Sequence, residues 1–156
     1  MRKKTNTIAI GPNALVTKAD NGAIGQNGNS SIAIGANSKV TGDYAIALGI
    51  NSITRSQGAI SIGQNADTNG TGSIAIGQDA KATGFNDDRK IFSRSVAIGA
   101  KAEASGYQST ALGHQAKVSG EDSTAIGIGA RAEEKRATAL GAETRISGEL
   151  STAVGI

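Results

Sequence analysis

The sequence predicts an all-β fold, a parallel β-roll of 14-residue coils, and three observations predict it. A motif of the Ala-[Ile/Leu/Val]-Gly type closes at Gly11, Gly25, Gly35, Gly49, Gly63, Gly77, Gly99, Gly113, Gly127, Gly141 and Gly155. The steps are 14 residues except for one of 10 (Gly25 to Gly35) and one of 22 (Gly77 to Gly99). Apolar residues alternate inside each repeat, as in Ala125-Ile126 and Ala130-Arg131-Ala132, and a period of two is the strand period. Residues that tolerate tight corners stand at fixed offsets between the apolar pairs.

Each coil divides in order. The first strand, about five residues long, carries the Ala-Ile-Gly motif. The first corner follows, with Asn13, Asn37, Asn51 and Asn65 two residues after the glycine. A second strand comes next, and Gly42, Gly70, Gly84, Gly106, Gly120 and Gly148 close it. Asn and Gly accept positive φ, so both corners are expected to use it. Stacked coils then pair each strand in parallel with its copy ~4.8 Å away. A single domain over residues 1–156 with about eleven coils is expected. One Ile or Leu per coil is expected inside, among small side chains. Such a core leaves a lone roll marginal against its ordering entropy, so lateral association through a second apolar face is expected. Strand parity offers Ala125, Ala139 and Ala153 on one side and Ile126, Leu140 and Val154 on the other.

Composition agrees with a fibrous module. The chain of 156 residues holds 22 glycines, two Phe, two Tyr, no Trp and no Cys. Lack of cysteine removes disulfides and thiolate metal sites. Glycine keeps no period of three, so collagen is excluded. Other solenoid repeats fail on period: fourteen is not a multiple of six, and G-G-x-G-x-D is absent. No apolar run is long enough to span a bilayer as a helix, and no secretory signal precedes the first repeat. Setting aside Arg2, Lys3 and Lys4, the basic residues equal the 13 acidic ones, so the net charge of +3 gives no nucleic-acid footprint.

The repeats SVAIGAKAEASG, SIAIGQDAKATG and SIAIGANSKVTG resemble the head repeats of the trimeric autotransporter adhesins of Gram-negative bacteria, the YadA-like heads. The resemblance covers Thr7 to Gly155. It implies a left-handed parallel β-roll, a side-by-side homotrimer, and exposure on the bacterial cell surface, anchored in the outer membrane through regions absent from this chain. It also implies attachment to host matrix proteins such as collagen, or to host or bacterial cells, with no enzymatic activity and no cofactor. The chain lacks the family's neck sequence, heptads and C-terminal barrel and stops mid-repeat at Ile156, so it is expected to be a head or part of one.

Two candidate binding segments emerge. Collagen-binding members carry N-S-V-A-I-G-x-x-S, and the nearest copy here runs from Ser30 to Ser38. It matches at Ser31, Ala33, Ile34, Gly35 and Ser38, with Ile32 in place of valine. The competing reading is that these residues build the roll. The second candidate is the extra length in the 22-residue step, a protruding insertion at about 85–94. It contains Phe85, Arg89, Lys90 and Phe92, aromatics flanked by cations as at contact sites. The alternative is that its phenylalanines clasp a neighbouring chain. Residues inserted within a strand would invert every later side chain, so the insertion is expected to leave at the Gly84 corner and return before Ser95.

Other residues carry no chemistry. His114 follows a strand-ending glycine and has no ligand partners at metal spacing. Asp87 and Asp88 are too few for a calcium cage, and the register explains both glycines of Ile126–Arg131. Lys81, Lys117, Arg131 and Arg145 share an outward column interrupted by Glu103, a polyanion ridge or a solvated face. A further column changes from Ile8, Ile32, Ile46, Ile60, Ile74 and Val96 to Thr110, Thr124, Thr138 and Thr152. Two rival functions remain: a structural spacer with binding carried elsewhere, and an ice-binding solenoid using those threonines.

Overall fold

The computed structural model describes residues 6–17, 27–84 and 93–155. Two parallel sheets face each other and run the length of the stack. One contains the ten three-residue strands from β1 (Ile8–Ile10) through β3 (Ile32–Ile34), β9 (Ile74–Ile76) and β11 (Val96–Ile98) to β19 (Thr152–Val154). The other contains the nine two-residue strands from β2 (Leu15–Val16) to β18 (Arg145–Ile146). Odd strands pair only with odd and even with even, each with its copy one coil away.

The strands are shorter than the five residues expected, because the corners take the rest of each coil. The ladder nevertheless continues around them: Gly35 N–H donates to Ile10 O at 2.8 Å and Asn37 N–H to Pro12 O at 2.8 Å. Every coil therefore hydrogen-bonds to the next through corners as well as strands.

β1 pairs directly with β3, Ile8 opposite Ile32. No layer intervenes between those of Gly11 and Gly35, so the first sheet has ten strands rather than the eleven suggested by counting glycines. The motif ending at Gly25 lies outside the described residues. The 22-residue step behaves as expected in register: β9 pairs directly with β11, Val96 opposite Ile74 and Ala97 opposite Ala75. In the sequence both added segments fall at the second corner, after Thr17 and after Gly84.

The interior reverses one expectation. The central residue of each first-sheet strand points inward and is alanine in all but one enclosed layer: Ala33, Ala47, Ala75, Ala97, Ala111, Ala125 and Ala139 are fully buried. Ser61 takes that place in the remaining layer. The flanking Ile and Leu point outward, with Ile126 39% and Leu112 40% exposed. Opposite the alanines stand Val40, Thr54, Thr68, Ala82, Ala104, Val118 and Ala132. A coil of two short strands encloses too narrow a section for a large aliphatic from each sheet, so the small residue goes in.

The corners separate two uses of glycine. Asn37, Asn51 and Asn65 have φ of 56°, the left-handed conformation that asparagine tolerates. At the second corner the positive φ lies two residues beyond the expected glycine, at Tyr44 (55°) and Asp122 (54°). Gly42 is needed instead because a Cβ there would overlap the Ser56 carbonyl oxygen of the next layer.

Candidate functional site

The segment from Ser31 to Ser38 is divided by the wall of the roll. Ser31, Ala33 and Ser38 are fully buried, Ile32 and Gly35 half-buried, and Ile34 is exposed. Ser31 Oγ donates to Gly42 O at 2.8 Å and accepts the Ala45 N–H at 3.0 Å, tying its layer to the next. Ser123 repeats the arrangement, donating to Glu134 O at 2.7 Å and accepting the Ala137 N–H at 2.9 Å. Such bonds offset the cost of burying a hydroxyl in an alanine core. Ser31, Ala33 and Ser38 therefore cannot touch a ligand outside the roll; they build it. Phe85, Arg89, Lys90 and Phe92 lie outside the described residues.

The outward face of the first sheet is a surface of different character. Two columns run along it. One passes from Ile10 through Ile34, Leu48, Ile62, Ile76, Ile98, Leu112, Ile126 and Leu140 to Val154. The other passes from Ile8 through Ile32, Ile46, Ile60, Ile74 and Val96 to Thr110, Thr124, Thr138 and Thr152. Neither column contains a charge. Nine inter-strand spacings of ~4.8 Å make the face ~43 Å long, a contiguous apolar surface of the kind that marks an association site.

The outward face of the second sheet is charged. Its column reads Leu15, Lys39, Ile53, Asp67, Lys81, Glu103, Lys117, Arg131 and Arg145. The predicted alignment of Lys81, Lys117, Arg131 and Arg145 around Glu103 is observed. Arg55 pairs with Asp67, and Lys117 Nζ lies 3.2 Å from Glu103 Oε2. Lys135 Nζ lies 2.8 Å from Glu121 Oε2 at the second corner. Asp67, Glu103 and these pairs interrupt the basic ridge and leave Lys117, Arg131 and Arg145 consecutive; such half-exposed pairs contribute little to stability.

At the first corner the asparagines form a ladder that the spacing alone did not reveal. Asn13 Nδ2 donates to Asn37 Oδ1 at 3.1 Å, Asn37 to Asn51 at 3.2 Å and Asn51 to Asn65 at 3.2 Å. Asn65 Nδ2 then donates to Asp79 Oδ1 at 2.9 Å. There the ladder ends, since a carboxylate has no proton to pass on. An open depression lined by Asn65, Asp79, Lys81, Lys101 and Glu103 adjoins this end. Among the described residues no cluster of His, Cys, Asp or Glu is arranged to hold a metal ion, and His114 is an exposed turn residue. No described helix is long and apolar enough to cross a membrane.

A family model described as the YadA head domain repeat (2 copies) matches residues 3–22, 27–52, 56–80, 69–84, 93–118 and 119–144. The matches cover most of the chain and end near the two added segments. No curated protein matches the chain.

Proposed function

The chain belongs to the YadA head-domain family, and from that premise we propose that it is the surface-exposed head of a trimeric autotransporter adhesin, attaching bacteria to host extracellular matrix or to cells. The observation that carries this reading is the contrast between the two sheets. The first turns an uncharged aliphatic face outward, and the second a charged one. Three rolls packed side by side through their first sheets bury the aliphatic columns and supply the second apolar contact that a narrow alanine core lacks. Their second sheets and second corners then face outward, where a ligand meets them. Ile32 and Ile34 stand on the packed face, so ligand contact falls to the charged face and to the segment with Phe85, Arg89, Lys90 and Phe92. The chemistry is adhesion: the reading assigns no catalytic residue and no cofactor.

A spacer reading has one observation in its favour. The segment nearest to a collagen-binding motif spends Ser31, Ala33 and Ser38 on the roll itself. The ice-binding reading fits less well, since the threonines stand one per layer and in only four layers.

Solid-phase binding of the assembled chain to collagens, other matrix proteins and intact cells tests the proposal. Saturable, salt-sensitive binding to one of them supports an adhesive head. Absence of binding to all of them, with the trimer intact, leaves the spacer reading in its place.

A further inference from the structure

The apolar face of the first sheet changes character at one step. Val96 is the last aliphatic residue of its column and pairs with Thr110, the first threonine. From there the column stays threonine to Thr152, while the neighbouring column stays aliphatic throughout. Half of the apolar width is thus replaced by hydroxyls in the C-terminal layers. A threonine on this face keeps its hydroxyl hydrated, or loses that water at a cost when covered.

The interior changes in the opposite sense. From Ala75 to Ile146 the buried residues form one continuous apolar cluster. The N-terminal layers have a smaller, separate cluster of Val16, Ala33, Val40, Ala45 and Ala47. Between the two clusters the interior mixes Ala59 and Ala66 with hydroxyls. Ser52, Thr54, Ser61 and Thr68 are fully buried, and Ser61 Oγ lies 2.7 Å from Thr68 Oγ1. Ser38 and Ser52 Oγ have no hydrogen-bond partner. The two changes are offset: the layers of Ile46 and Ile60 join an apolar outer face to a polar interior, those of Ile74 and Val96 have both an apolar face and the continuous alanine core, and those from Thr110 on keep the core and lose half of the apolar face.

We propose that self-association is divided along the roll. The layers of Ile32 to Val96 form a dry seam with the other copies, and those of Ile32 to Ile60, on and beside the polar interior, depend on it for their order. The layers of Thr110 to Thr152 are held by their own alanine core and meet their neighbours across a hydrated seam. This rests on the trimeric reading and adds where in the chain the association free energy resides.

Two sets of substitutions in the whole chain test the division by sedimentation equilibrium, with circular dichroism as the check on folding. Ile46→Thr, Ile60→Thr and Ile74→Thr together should raise the dissociation midpoint by about 100-fold or more. Thr110→Ile, Thr124→Ile and Thr138→Ile together should lower it, because isoleucine displaces weakly held water from a seam that has room for it. A second set that weakens assembly shows a C-terminal seam already closed and overturns the proposal, as does a folded first set with an unchanged midpoint. Hydrogen exchange on the unsubstituted chain gives a reading independent of any variant's folding. On dilution through dissociation, amides of the layers from Ile32 to Ile62 should lose protection about tenfold more than those from Thr110 to Thr152. Uniform loss overturns the proposal. A chain that is monomeric at every concentration sinks the trimeric reading itself, and the division falls with it.

Discussion

The layers of Ile32 to Ile76 and those of Val96 to Leu140 share one backbone and one aliphatic outer column, and differ in the other outer column, in part of the interior and at the first corner. The first group carries isoleucine in the column from Ile32 to Ile74, serine and threonine among its buried alanines, and an asparagine ladder at the first corner. The second has Val96 and then threonine in that column, alanine and Val118 inside, and Lys101, Gln115 and Glu143 at the same corner with φ of 55–59°. Both are held by the same inter-coil hydrogen bonds, such as Gly49 N–H to Ile34 O and Gly113 N–H to Ile98 O, each 2.8 Å. The backbone ladder therefore sets the fold, and the side chains decide how each group acquires the rest of its stability.

The largest effect should come from what the two groups share. At Gly49 and Gly113 φ is 135° and 136°, and a Cβ would press on the carbonyl of the next-layer glycine, Gly63 or Gly127. Gly49→Ala and Gly113→Ala should each cost on the order of 3 kcal/mol or more, read as a fall in melting temperature. If one were tolerated, the two groups would not share this corner.

A paired substitution in the C-terminal group separates inside from outside. Ala125→Asp places a carboxylate where no space or partner exists and should abolish folding, at a cost of several kcal/mol. Ile126→Asp, one residue on, should leave the fold intact and weaken association less than the same change would in the layers of Ile32 to Val96. Circular dichroism and sedimentation of both variants check this, and loss of the fold in Ile126→Asp would mean that the aliphatic column is not an outer face.

Making the N-terminal interior resemble the C-terminal one should stabilise it. Ser52 Oγ is buried without a partner, and alanine fills the equivalent slot at Ala66, Ala80 and Ala102. Ser52→Ala should raise stability by roughly 1–2 kcal/mol, measured by denaturant unfolding. A loss would show that the hydroxyl has a partner in solution.

The smallest effects belong to the exposed ladders. Asn51→Gly keeps the left-handed corner but breaks two amide bonds, and should cost about 1 kcal/mol. Lys117→Ala, which breaks the pair with Glu103, should cost under about 0.5 kcal/mol. A larger cost for the lysine would make the ion pairs, rather than the amide ladder, the stronger surface support.

Much of this architecture was legible because a solenoid converts sequence period directly into spatial register. Residues fourteen apart become neighbours ~4.8 Å apart, so the columns of Lys81, Lys117 and Arg131, and of Val96 and Thr110, follow once the period is known. The role of the candidate segment was less legible. Ser31, Ala33 and Ser38 match a ligand-associated pattern and also fill the positions that build the wall, and one sequence cannot separate those demands. The asparagine ladder was half visible: its spacing could be counted, but whether side chains bond between layers depends on how the corner aims them.

The sequence by itself determined the period, the strands, the parallel stacking and the left-handed residues at Asn37, Asn51 and Asn65, because each depends on local backbone preference repeated at a constant interval. It also determined that alternate residues of each strand point opposite ways. Which of the two points inward was decided only by the tertiary structure. Ala125 and Ile126 are both apolar, so hydrophobicity does not choose between them; the width of the closed coil does. That section admits a methyl group from the first sheet against Ala132 or Val118 from the second, and it turns the isoleucine out to the surface.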